Sequence, residues 1–264
     1  MMFIRQLPVL SLAALVFVAQ PLSAQEPTSR PSKPDPLVAE QVKQFKSAIK
    51  DRKGARDAEA TNLIDKFLAG YPRMHQKDQL SVRKALQDCL VGRVRRDEGN
   101  TTLFVGAAAA LGQMGADGAK ILLKAYKSSK FKKQVTLRAV FVRNIGKTKD
   151  LAQVDFLLER AGRDPDDEIM KAAGGTLRNY ADAKLSVRKN IVKELIKKFS
   201  EVYGKSRASI DPGNAQVKRS KEQLAAISRD WNQTLNALTR QSIHSPPEWQ
   251  RFYNKNKNRN WDKM

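Results

Sequence analysis

The sequence predicts an all-α chain, a short α-solenoid of stacked helix pairs closed by a C-terminal helical cap, and three observations carry that reading. Apolar residues recur at helical spacing, and nothing alternates with period two over a strand length. Between residues 101 and 203 the helical stretches become short, and Gly or Pro marks the turns. A weak internal repeat sets Leu111 with Met114, Val142 with Ile145 and Leu177 with Tyr180 at successive offsets of 31 and 35 residues.

The chain opens on a segment that reads as a cleaved leader, residues 1–24. Arg5 supplies a positive start, Leu7 to Ala19 an apolar stretch, and Leu22, Ser23 and Ala24 a small-residue cleavage site before Gln25. That stretch is too short to span a bilayer, which takes about 20 apolar residues. Cleavage after Ala24 implies a periplasmic or secreted protein with no transmembrane segment left. It removes one base and no acid from 49 basic and 27 acidic residues, so the expected mature chain has a net charge of +21 over 240 residues. Such an excess favours polyanionic partners and makes binding sensitive to salt. Cys89 is the only cysteine, so no intramolecular disulfide is available, and Gln25 stands where a lipid anchor would need a cysteine.

Residues 25–36 carry Pro27, Pro31, Pro34 and Pro36 and read as a disordered linker. From residue 37 the apolar faces run Val38, Val42, Phe45 and Ile49, then Leu63, Ile64, Phe67 and Leu68, then Leu80, Leu86, Cys89 and Leu90. The helical array extends to residue 203, with its clearest repeats over 101–203. Gly115 and Gly146 follow the first two repeat pairs, where a residue able to take positive φ can end a helix. Asp164 is placed to cap a helix beginning at Pro165, with Asp166, Asp167 and Glu168 at the positive end of its dipole. Residues 204–217, with Gly204, Pro212 and Gly213, read as a linker into a C-terminal part, 218–264. There Leu224, Ile227, Trp231, Leu235 and Leu238 form one stripe of a long helix, and Ser245 to Glu248 form a capping box with prolines in the first turn.

The run Ala107 to Gly115, followed by Ala119, Ile121, Leu122 and Leu123, resembles the paired helices of a HEAT repeat of the lyase-associated bacterial subtype. A second unit, Arg138 to Arg160, keeps the pattern loosely, and a third, Lys171 to Val202, keeps mainly the apolar spacing. The resemblance covers about 100 residues and implies a right-handed HEAT-like α-solenoid, not an activity.

Residue chemistry argues against an enzyme. His75 and His244 stand 169 residues apart without a neighbouring acid or second ligand, and no phosphate loop, serine elbow or paired metal-ligand spacing is present. No cofactor or metal is therefore expected. Cys89, between Leu86 and Leu90, reads as a small buried hydrophobe.

Charge distribution is more informative. Residues 120–149 hold ten bases and no acid, residues 150–182 eight acids against four bases, and residues 183–207 eight bases against two acids. At 100° per residue Lys120, Lys124 and Lys127 lie within about 60° of one another, and Lys189, Lys193 and Lys197 within about 80°. These two stripes, with Lys132, Lys133 and Arg138, are candidate partner-binding residues. Trp249, Arg251 and Tyr253 are added because aromatic residues among bases can stack on rings while the cations hold anions. The expected function is that of an exported interaction scaffold for a protein or an anionic envelope polymer. The alternative is a polyanion or nucleic-acid binder, disfavoured by export, and a cofactor-maturation or lyase-like enzyme stands behind both.

Overall fold

A computed structural model describes residues 31–97, 99–208 and 214–264. The expected leader and residues 25–30 of the linker lie outside the described residues, as does the middle of the expected linker at 204–217. The described residues form eleven α-helices, five 3-10 turns and no strand. The first three helices are α1 (Pro36–Ala48), α2 (Asp57–Gly70) and α3 (Gln76–Val91). Then come α4 (Thr102–Leu111), α5 (Gly115–Lys127), α6 (Val135–Lys147), α7 (Val154–Arg163) and α8 (Asp167–Thr176). The longest are α9 (Leu185–Lys205) and α10 (Ala215–Thr239), and α11 (Pro246–Asn256) is the last. None is long and apolar enough to cross a membrane.

Local chemistry sets the helix starts. Asp35 accepts the Leu37 amide at 2.8 Å, with Pro36 in the first turn where no donor is needed. His75 caps α3 through Nδ1, which accepts the Lys77 amide at 3.2 Å. Ser245 caps α11, and its hydroxyl donates to Glu248 at 2.6 Å, which holds the Glu248 carboxyl below its ordinary range. Asp164 does not start a helix at Pro165: α8 begins two residues later, at Asp167, with Asp166 at its N-cap. The Asp164 carboxylate is instead buried as a hub: it accepts from Tyr126 Oη at 2.9 Å, Arg160 Nη1 at 3.3 Å and the Asp166 amide at 3.2 Å. Gly204 lies inside α9 and does not open a linker.

The apolar faces read from spacing meet in one core. Val38, Val42, Phe45, Ile49, Leu63, Ile64, Phe67, Leu86, Cys89 and Leu90 are all buried. Leu80 is 44 % exposed, and Val82 and Ala85 take the inward positions of its helix. Packing runs in two interleaved series. The even helices meet successively, α2 on α4, α4 on α6, α6 on α8 and α8 on α10, while α1 meets α3, α3 meets α5, α7 meets α9 and α9 meets α11. Broad contacts also join α5 with α6, α7 with α8 and α9 with α10, one helix out of step with the units read from the sequence.

Close approach between even helices depends on glycine. A Cβ at Gly146 of α6 would sit 2.2 Å from Thr176 Oγ1 of α8, and one at Gly174 of α8 would sit 2.1 Å from Trp231 Nε1 of α10. Gly146 therefore serves packing and not helix termination, since it is helical and the positive φ falls on Lys149. Gly115, by contrast, does take positive φ, at the first residue of α5 where the chain turns from α4.

The C-terminal residues fold back on the array. Trp249 and Trp261 are buried, their indole N–H groups donating to Asn232 Oδ1 and the Asn256 carbonyl, each at 2.9 Å. Arg188 of α9, itself buried, donates to the Leu238 carbonyl at 3.0 Å and forms an ion pair with Asp262.

Candidate functional site: a basic groove across three even helices

Helix α8 carries small residues, Ala172, Gly175 and Thr176, where it passes between α6 and α10, and a groove opens over them. Ala172, Gly175 and Thr176 line the floor of the resulting groove, whose volume is about 370 Å³. Its rim is strongly basic. Arg143 and Lys147 come from α6, Lys171 from α8, Arg178 from the 3-10 turn Leu177–Tyr180, and Arg229 from α10.

Cross-helix contacts hold some of these cations in place. Arg143 pairs with Glu168, Lys171 lies 3.7 Å from Asp230, and Arg178 donates to the neutral Gln233 Oε1 at 3.0 Å. Among the described residues no carboxylate pairs with Lys147, Arg178 or Arg229. Three uncompensated cations thus surround a floor with little side-chain bulk. Arginine forks at two of those positions suit carboxylate, phosphate or sulfate oxygens, which they can meet two at a time.

Arg143 and Arg178 follow Val142 and Leu177 directly, so they stand at the same offset in the weak repeat read from the sequence. That equivalence was the signal available in the sequence. Lysine spacing along single helices misses it, because the groove is assembled from residues on α6, α8 and α10 that are far apart in sequence, Arg143 and Arg229 by 86 positions.

The residues expected to bind a partner are scattered by comparison. Lys120, Lys124 and Lys127 are exposed on α5, with Lys120 3.8 Å from Asp117, and Lys132 and Lys133 are exposed after the next turn. Arg138 is turned inward, its guanidinium 4.4 Å from the centre of the Tyr126 ring and 3.8 Å from Asp166. Lys189 is engaged in the fold, donating to the Lys257 carbonyl at 2.8 Å and lying over the Trp261 ring at 5.5 Å. Lys193, Lys197 and Tyr253 come together in a crevice between α9 and α11, beside Gln250. Arg251 is exposed on α11. Trp249 is fully buried, so it anchors α11 to its own domain and presents no face to a ligand. None of the stripe lysines, on α5 and α9, lines the groove across α6, α8 and α10.

Two further groups titrate unusually. Burial pushes the Cys89 thiol up to about 12, which leaves it without nucleophilic thiolate at neutral pH. Lys130 donates to the carbonyls of Cys89 and Leu90, both at 3.1 Å, and lies over the rings of Phe104 and Phe131 at 4.5 and 4.7 Å. Those contacts favour the ammonium, but loss of water outweighs them and brings its pKa down from 10.5 to about 8. The unfolded chain then keeps this proton up to about 10.5 while the folded chain releases it near 8, so stability gained from Lys130 grows as pH rises through that window. Urea midpoints at pH 8 and pH 10 test this: the rise in stability is expected to be smaller in Lys130→Met than in the wild-type protein.

Among the described residues no three His, Cys, Asp or Glu side chains are grouped so as to hold a metal ion. Comparison with protein-family models, curated proteins and solved structures found no match.

Proposed function

We propose that this chain is an exported, non-enzymatic interaction scaffold that holds an acidic partner, a protein or an anionic envelope polymer, in the groove across α6, α8 and α10. The observation that carries the proposal is the set of uncompensated cations, Lys147, Arg178 and Arg229, around the small-residue floor of Ala172, Gly175 and Thr176. The interleaved packing of even and odd helices supports a right-handed HEAT-like solenoid as the framework. Stacked units of that kind present a continuous surface to a ligand, and the repeat-equivalent arginines fall on it. Export rests on the residues that open the sequence, Arg5 to Ala24.

A nucleic-acid partner draws less support. Base recognition on single strands relies on exposed aromatic faces, whereas Trp231, Trp249 and Trp261 are all buried.

The proposal is tested by reversing the three free charges together, Lys147→Glu, Arg178→Glu and Arg229→Glu, and titrating poly-L-glutamate across a salt series. With about 1 kcal/mol lost for each exposed charge, affinity at low salt is expected to fall by about a hundredfold. The salt dependence should flatten with it. Unchanged affinity in a folded variant would reject the groove as the binding surface.

A further inference from the structure

A second recess lies at the far end of the array, where the C-terminal turn of α1 meets the chain leaving α3. It has a volume of about 400 Å³ and is lined by Ile49, Lys50, Arg52, Arg93, Val94 and Arg95, among others. Two acids stand nearby and both are engaged: Asp88 pairs with Lys46 at 3.2 Å, and Asp51 accepts the Lys53 and Arg56 amides at 3.1 and 3.3 Å. The cations of Lys50, Arg52, Arg93 and Arg95 have no carboxylate partner among the described residues.

The segment from Arg93 to Asp97 belongs to no helix, and its burial alternates: Arg93, Arg95 and Asp97 face water while Val94 and Arg96 turn in. That is the alternation of an extended chain. Among the described residues, the main-chain N–H groups of Arg93, Val94, Arg95, Arg96 and Asp97 donate to no acceptor of the protein. The segment is nevertheless fixed. Arg96 grips the Asp57 carboxylate through Nε at 2.8 Å and Nη2 at 2.6 Å, with its side chain almost wholly buried. A ligand here meets an ordered surface and loses little affinity to arranging it.

We infer that this recess binds an extended acidic peptide segment carrying apolar residues between its carboxylates, independently of the groove across α6, α8 and α10. Carboxylates meet Arg93, Arg95, Lys50 and Arg52, an apolar side chain rests on Ile49 and Val94, and the peptide carbonyls take the idle amides, as in strand addition to an unpaired edge. The concave shape and the free amides favour a peptide over a flat anionic membrane, which offers no row of carbonyl acceptors.

The test uses the full chain and an acetylated, fluorescent Glu-Leu-Glu-Leu-Glu-Leu peptide, read by anisotropy and by amide chemical shifts. Saturable binding is expected, with shifts at residues 93–97 and affinity at least tenfold lower in Arg93→Glu with Arg95→Glu. Should that variant fail to fold, Lys50→Glu, at an exposed position, is expected to weaken binding as well. Equal affinity in a folded variant would overturn the inference. So would equally tight binding of vesicles containing phosphatidylglycerol, or of inorganic phosphate alone. Shifts confined to residues 143–178 and 229–233 would also overturn it, while leaving the groove of the proposed function intact.

Discussion

Replacing Trp231 with alanine is expected to destabilise the fold by about 4 kcal/mol, the upper range for loss of a large buried aromatic, and to lower the melting temperature by about 10 °C. The indole is completely buried, meets Phe199 edge-on with centroids 5.5 Å apart, and donates to the Met170 carbonyl at 3.3 Å. It also lies directly over Gly174, whose missing side chain lets α10 approach α8 and so sets the width of the groove. Gly174→Ala alone is expected to cost about 3 kcal/mol, because the new methyl would overlap the indole. The double variant should be much less destabilised than the sum of the two, since each change removes the other's clash or part of its cavity. Equilibrium denaturation of the four proteins measures this coupling, and simple additivity would show that the two residues do not share one contact.

Deleting residues 245–264 is expected to cost still more, on the order of 6 kcal/mol, because two tryptophans and the partly buried Phe252 leave the core at about 2 kcal/mol each. Arg188 would also lose Asp262 and stay buried with its charge poorly matched. A domain holds only about 5–15 kcal/mol in total, so the truncated chain should melt far earlier or fail to fold. Thermal unfolding by circular dichroism decides it. Melting within about 2 °C of the full chain, with a partner's affinity lost, would mean that the tail recognises a ligand and does not close the array.

Much of the fold was legible because it rests on local rules. Helical spacing identified the buried run Ile227, Trp231, Leu235 and Leu238, and capping chemistry placed the start of α11 at Ser245. What local rules could not give is the use of a charge. Lys189 and Arg138 have the same sequence character as Lys124, yet one holds the tail and the other stacks on Tyr126. Trp249 sits among bases in the sequence, but its apolar ring is worth more in the core than in water. The groove was hidden for a related reason: it depends on α8 being thin, and thinness matters only once α6 and α10 stand on either side. Gly146 looked like helix punctuation, whereas its role, like that of Gly174, is to admit a neighbour's side chain.

On the proposed function, usable positive charge is gathered across α6, α8 and α10 and not along the more conspicuous lysine stripes. Coupling bound poly-L-glutamate to lysine amines with a carbodiimide at low salt, followed by peptide mapping, tests it directly. The predicted result is attachment at Lys147 and Lys171, abolished in Arg178→Glu with Arg229→Glu. Attachment at Lys120, Lys124 and Lys127 with Lys147 and Lys171 unmodified would contradict it.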